Sequence, residues 1–115
     1  LSSAGLCSLY SVQMQVPVVE LLAAVTGWDI GWDEGLRAGK RVLTLRQAFN
    51  VREGLTPDDY KMPRRFREPL DVGPSAGQKI PFEILREGFF EAMNWDIKTG
   101  RPSANTLAAV GIDIG

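Results

Sequence analysis

Cys7 is the only cysteine of this 115-residue chain, and the chain contains no histidine. A single thiol cannot form an internal disulfide, and without an imidazole the sequence excludes Ser-His-Asp catalysis, Cys-His catalysis and the HExxH zinc site. Near the thiol, the small residues Ser2, Ser3 and Ala4 with Gly5 permit the close approach of other atoms. An inert structural thiol and a cofactor ligand both stay open at this point, and the inert role is the commoner one.

The composition indicates one globular domain, over residues 1–115, in a chain that begins with leucine and is expected to be part of a longer polypeptide. Thirteen basic and fourteen acidic side chains nearly balance. This balance gives no basic surplus for binding nucleic acid. No apolar run reaches the roughly 20 residues that a membrane span needs. One thiol suits a reducing compartment, so the sequence favours the cytoplasm.

The spacing of apolar residues predicts an all-α fold with about four helices. The first two are predicted over 17–27 and 33–54, and we expect them to pack as an antiparallel pair. The others are predicted over 81–96 and 103–112. The predicted apolar faces comprise Val18, Leu21, Leu22 and Val25 in the first helix, Leu36, Gly39, Val42, Leu43, Leu45, Ala48 and Phe49 in the second, and Phe82, Leu85, Phe89 and Met93 in the third.

Three smaller features complete this prediction. Gly35 and Gly39 are expected to allow the close approach of another helix, and Ser103 is expected to cap the last helix. The Pro- and Gly-rich segment 54–80 predicts a long ordered connection with at most single helical turns. We expect Tyr60, Met62, Phe66 and Leu70 to anchor this connection, and Trp28, Trp32 and Trp95 to cover the core margin with their ring N–H groups bonded to carbonyls.

Four cations surround Phe66 in the connection and could bind phosphate or single-stranded nucleic acid. Acidic neighbours are close enough to neutralise them, so a solvated loop with local ion pairs is the stronger interpretation. The cations are Lys61, Arg64, Arg65 and Arg67, and the neighbouring acids are Asp58, Asp59, Glu68 and Asp71.

Six landmarks give the chain a resemblance to a known family. In order and spacing they resemble the C-terminal region of tungsten-containing aldehyde ferredoxin oxidoreductases, and the resemblance covers nearly the whole chain. The landmarks are GLC at 5–7, TGWD at 26–29, FNVREG at 49–54, MPRRF at 62–66, EPL with GPSAG at 68–77, and NWD at 94–96.

The resemblance implies the C-terminal helical domain of a larger enzyme that oxidises aldehydes to carboxylic acids. It implies a tungsten or molybdenum bis-pterin cofactor, a 4Fe-4S cluster and transfer of electrons to ferredoxin. Cys7 matches the fourth cluster cysteine of the family's DxxGLC motif, and Gly5 and Leu6 match the same motif. Ser2 stands where the family usually has aspartate. These four residues are the cofactor-binding residues that the resemblance implies, and Cys7 is the metal ligand.

The resemblance places the remaining cluster cysteines and the groups that act on aldehyde in upstream domains of the same chain, so we expect the 115 residues alone to be inactive. The expected partners are those domains, ferredoxin and a small aldehyde, with neither nucleic acid nor membrane, and a homo-oligomer stays open. An alternative, motivated by Ser2, is a non-catalytic helical interaction module that has lost its cofactor.

Overall fold

The computed structural model describes residues 1–9 and 15–113, and its regular structure there is helical. Among the elements that lie wholly within these residues, two short 3-10 turns accompany five α-helices, so the all-α prediction is confirmed. The described part contains no strand, only the isolated bridges Leu70–Ala76 and Trp95–Pro102. The helices are α1 (Val18–Thr26), α2 (Trp32–Arg52), α3 (Arg64–Arg67), α4 (Phe82–Ala92) and α5 (Ala104–Ala109), and the 3-10 turns are Ser2–Ala4 and Pro57–Asp59.

The helix ends follow the local sequence signals. Gly27 ends α1 in the left-handed region at φ 72° and donates its N–H to the carbonyl of Ala23. Ser103 caps α5, because its Oγ accepts the N–H of Thr106 at 3.1 Å. In the long connection, the 3-10 turn and the four-residue α3 are the single turns that the sequence predicts.

The core lies where the C-terminal half of α2 meets α4, α5 and the turn between those two helices. Phe90 of α4 is 4% exposed, and its ring lies 5.5 Å from that of Trp95 and 6.1 Å from that of Tyr60. Gln47 of α2 is also buried and bonds to the carbonyl of Gly100. The core therefore combines aromatic packing with polar contacts.

The chain is more extended than a compact domain of its length. Its radius of gyration is 17.3 Å, whereas about 13 Å is typical for a globular domain of this size. Large apolar side chains on α1, α2 and α4 are exposed. Among the described helices, none has the length and apolar character needed to cross a membrane.

The predicted antiparallel pair is wrong except at one contact. A Cβ added to Gly35 would lie 2.7 Å from Cγ2 of Val19, so α1 contacts α2 at this point. No two described helices, however, lie side by side over an extended length. Gly39 faces open space. On α2, Leu45 and Phe49 of the predicted face are half exposed. The buried residues of α2 are Ala48, which belongs to the predicted face, and the polar residues Thr44 and Gln47, of which Gln47 bonds to the carbonyl of Gly100.

The predictions for the aromatic residues are confirmed only near the core. Trp95 is 6% exposed, but its Nε1 has no hydrogen-bond partner among the described residues, contrary to prediction. Trp28 and Trp32 are 67% and 62% exposed and cover no core.

Tyr60 anchors the long connection through Gln47 and Phe90, whereas Phe66 is 60% exposed and anchors nothing. Leu70 is 57% exposed in the same way, and Met62 is half buried.

Candidate functional site

The segment Leu1–Leu6 forms a tight turn that precedes the only thiol. The N–H of Gly5 donates to the carbonyl of Ser2 at 3.1 Å, and the N–H of Leu6 donates to the carbonyl of Leu1 at 3.2 Å. This nested pair of bonds is the Schellman arrangement, which requires a left-handed residue at its fifth position. Gly5 supplies that residue at φ 74°. The glycine is therefore required by the backbone, independently of any ligand.

The turn presents Cys7 at the surface. Leu6 is half buried, and Cys7 is a free, exposed thiol. Across the turn, the hydroxyl oxygen of Ser2 lies 3.4 Å from that of Ser8. Each serine oxygen has two acceptor lone pairs, so the pair retains hydrogen-bonding capacity toward a further group. All four residues that the resemblance implies for the cofactor thus lie in one exposed turn.

Cys7 has no neighbouring ligand set of its own. Within residues 1–9 and 15–113, no group of three or more His, Cys, Asp or Glu side chains could hold a metal ion. One exposed thiol matches one ligand of an iron-sulfur cluster, and such a cluster needs four. The described residues therefore supply one exposed thiol and no group of side chains that could hold a metal ion by itself.

The basic group around Phe66 has the character of a solvated surface. Arg64 forms an ion pair with Glu68 at 2.9 Å, with both side chains exposed. Asp59 lies before this group, and its pKa is held below the ordinary aspartate value by the backbone and hydroxyl hydrogen bonds from Thr56, with a smaller contribution from Lys61. The local ion pair predicted from the sequence is confirmed at Arg64 and Glu68, and an exposed pair of this kind contributes little to stability.

Two features of the structure were not predicted from the sequence. One is the buried hydrogen-bonded group of Gln47, Tyr60 and Gly100, for which no local sequence pattern gives a signal. The other is an open cleft of about 1080 Å³ beside α5. Lys40 and Arg101 line the cleft together with Asp96 and Trp95. Its mixed charges favour no particular ligand.

Comparison with known proteins gives one family. Residues 1–112 match the family model described as aldehyde ferredoxin oxidoreductase, domains 2 and 3. The match includes the turn at Gly5, the thiol of Cys7 and the whole of the helical core.

Curated relatives agree with this match. The chain is 27% identical over 116 residues to the tungsten-containing aldehyde ferredoxin oxidoreductase of Pyrococcus horikoshii, 29% identical over 115 residues to that of Pyrococcus furiosus, and 28% identical over 115 residues to that of Thermococcus kodakarensis. These alignments cover 97–98% of the chain but only 19% of each relative. No solved structure matches the chain significantly.

Proposed function

Since this chain belongs to the aldehyde ferredoxin oxidoreductase family, we propose that it is the C-terminal part of an enzyme that oxidises aldehydes to carboxylic acids. The proposed enzyme contains a bis-pterin cofactor with tungsten or molybdenum, contains a 4Fe-4S cluster, and delivers electrons to ferredoxin. Its proposed location is the cytoplasm. The 115 residues contribute cofactor-holding groups and are inactive alone.

The observation that carries this proposal is the exposed thiol of Cys7 directly after the Gly5 turn. The N–H groups of Gly5 and Leu6 bond within the turn, which fixes the backbone before Cys7. A thiol on a fixed and exposed turn can reach a cluster bound by another part of the polypeptide. An inert structural thiol would instead be expected among apolar side chains.

In the proposed site, Cys7 is one of four thiolate ligands of the cluster, and the other three come from upstream in the full polypeptide. Ser2 supplies a hydroxyl that accepts a hydrogen bond from a pterin N–H in place of the family's aspartate. Gly5 and Leu6 place the backbone close to the same group. When bound, the cofactor supplies the two-electron oxidation of the aldehyde, and the cluster transfers the electrons onward.

The test uses the full-length protein, purified without oxygen, with and without Cys7→Ala. We expect the unaltered protein to contain about four cluster iron atoms per chain, as a 4Fe-4S cluster requires, together with tungsten or molybdenum, and to oxidise aldehydes with an artificial electron acceptor. Cys7→Ala should remove or alter the spectroscopic signal of the reduced cluster. Ser3→Ala, at an exposed position of the same turn, is the matched control and should retain iron and signal.

Two results would count against the proposal. Cluster iron and an unchanged signal in Cys7→Ala would show that Cys7 is not a ligand. A full-length protein without iron, tungsten or molybdenum would instead support the non-catalytic interaction module that the serine at position 2 suggests.

A further inference from the structure

Helix α1 is almost entirely apolar, although it is only partly covered. Glu20 is the one charged residue among its nine, VVELLAAVT. A helix that is apolar on all sides is normally buried on all sides, either in a protein core or in a membrane. At 1.5 Å per residue its nine residues span about 14 Å, roughly half of the thickness of a bilayer core. We therefore take protein, and not a membrane, as what covers the rest of α1.

The described structure covers one side of α1. Val19 is 7% exposed because it packs on Gly35 of α2. On the opposite side, Leu21 is 43% exposed and Val25 is 84% exposed. Leu21, Ala24 and Val25 form what we term the outer face of α1. With 3.6 residues per turn, these positions lie away from Val19 and toward one common direction.

The length of the relatives and the position of Cys7 in the chain indicate what covers the outer face. The chain corresponds to 19% of the length of the relatives that it matches. On the proposed function, Cys7 shares its cluster with three cysteines that this chain does not contain. Val18 follows Cys7 by only eleven positions, a distance of at most about 40 Å along an extended chain. The part of the polypeptide that binds the cluster therefore lies within reach of α1.

We propose that the outer face of α1 docks against the upstream part of the same polypeptide that carries the other cluster cysteines. This inference rests on the proposed function, since it takes the shared cluster as the reason for their proximity. Cys7 and α1 then both bind the same upstream part of the polypeptide, Cys7 through the metal cluster and α1 through apolar contacts. Covering α1 holds the Cys7 turn near the cluster and excludes water from that side.

Val25→Lys in the full-length protein tests this docking. Lysine is a better helix former than valine, and a positive charge near the end of α1 is favourable, so on an exposed helix this change is neutral or stabilising. If Val25 is covered, the lysine must be buried or displace the docked surface. We expect at least a tenfold faster loss of cluster iron to a chelator, together with a lower melting temperature.

Val72→Lys is the matched control, because Val72 is 80% exposed and lies outside the helices. It should retain iron and melting temperature. An unchanged Val25→Lys protein, or equal losses in both variants, would overturn the proposal. A variant that changes from dimer to monomer while retaining iron would identify a second copy as the occupant and would overturn it as well.

A measurement on the unaltered full-length protein removes any dependence on how the variants fold. Hydroxyl-radical labelling of Leu21 and Val25 should be at least tenfold slower in the cluster-loaded protein than in the unfolded chain. Labelling within threefold of the unfolded chain would contradict the docking. Protein that contains iron but labels freely defeats only this inference, whereas protein without iron defeats the proposed function.

Discussion

Gln47 donates a hydrogen bond from Nε2 to the carbonyl oxygen of Gly100 at 2.8 Å, and so joins α2 to a turn 53 residues further along the chain. The other end of the same amide is also used, since Tyr60 donates its hydroxyl to Oε1 of Gln47 at 2.7 Å. Gln47 is only 4% exposed. One buried side chain thus links α2, the long connection and the turn after α4.

We predict that Gln47→Leu destabilises this junction by about 1–3 kcal/mol, because it leaves the carbonyl of Gly100 without its donor and the hydroxyl of Tyr60 without its acceptor. Amide hydrogen exchange at Asp96 and Gly100, whose N–H groups are bonded within the turn, measures the effect. Exchange should be about tenfold faster for each 1.4 kcal/mol lost. Gln78→Leu, at an exposed position, should leave these amides unchanged, and equal exchange in both variants would contradict the prediction.

Two glycines should respond to alanine in opposite directions. Gly100 has φ 70°, and a Cβ there would lie 2.7 Å from Nε2 of Gln47. Gly100→Ala should therefore destabilise the protein by about 2–3 kcal/mol, through the left-handed backbone and the weakened hydrogen bond. Gly88 lies inside α4 with nothing within 4 Å of an added Cβ. Gly88→Ala should stabilise α4 by up to about 1 kcal/mol.

Melting temperature and amide exchange of the two alanine variants provide the measurement. A stable Gly100→Ala protein with unchanged exchange at Gly100 would show that the close approach to Gln47 is not required. A destabilised Gly88→Ala protein would indicate that this open side of α4 is covered in the full-length protein.

Two exposed aspartates make the stability of the folded protein depend on pH in the acid range. Backbone and hydroxyl hydrogen bonds from Thr56, at 2.8 and 2.9 Å, lower the pKa of Asp59 from 3.8. The hydroxyl and N–H of Thr99 lower the pKa of Asp96 in the same way. Because each pKa is lower in the folded state, this stabilisation is present above the unfolded value and is lost as pH falls below 3.8 through the folded values.

Thr56→Val tests the assignment, since it removes the hydroxyl donor and retains the backbone N–H. We expect the pKa of Asp59 to rise toward 3.8 in carbon-detected titration of labelled aspartate, with the signal identified by Asp59→Asn. Asp96 serves as the internal control and should titrate as before. A pKa of Asp59 that does not move would show that the hydroxyl bond makes no contribution.

The sequence was sufficient to predict the helices but not to predict how they pack. Pro17, Gly27 and Ser103 mark helix ends through local backbone chemistry, and this chemistry acts in the same way in any tertiary setting. The apolar residues of α2 do not indicate which of them are buried, since Ala48 is 8% exposed and Leu36 is 56% exposed. Leu45 and Phe49 are 50% and 53% exposed, although the guanidinium of Arg52 lies 5.0 Å from the centroid of the Phe49 ring.

Less of the core than of the candidate site could be predicted, because a local sequence pattern reports on neighbouring residues and not on residues far apart in the chain. Gln47 is polar, so its burial depends on partners 13 and 53 residues away, and no local pattern reports such distances. Trp95 was expected to bond to a carbonyl; among the described residues its ring N–H has no partner, and the rings of Phe89 and Phe90 pack against it. Gly5 and Cys7 are neighbours in sequence, and their turn could therefore be anticipated from the motif alone.

Gly5 provides a test of whether backbone angle or open space matters in the turn before Cys7. Its φ is 74°, and a Cβ there would meet nothing within 4 Å in the described structure. Alanine should therefore cost about 1–2 kcal/mol through the left-handed angle alone. Asparagine tolerates this angle better and should cost less.

On the proposed function, we expect Gly5→Ala to lose cluster iron to a chelator about five- to thirtyfold faster than the unaltered full-length protein, as a cost of about 1–2 kcal/mol implies. Gly5→Asn should lie between the two, and Ser3→Ala, in the same turn, should match the unaltered protein. Iron loss from Gly5→Asn that exceeds the loss from Gly5→Ala would mean that a docked group fills the space at Gly5, because side-chain size and not backbone angle would then decide. Equal retention of iron in all variants would show that this turn does not hold the cluster, since a ligand held by this backbone must respond when the backbone is strained.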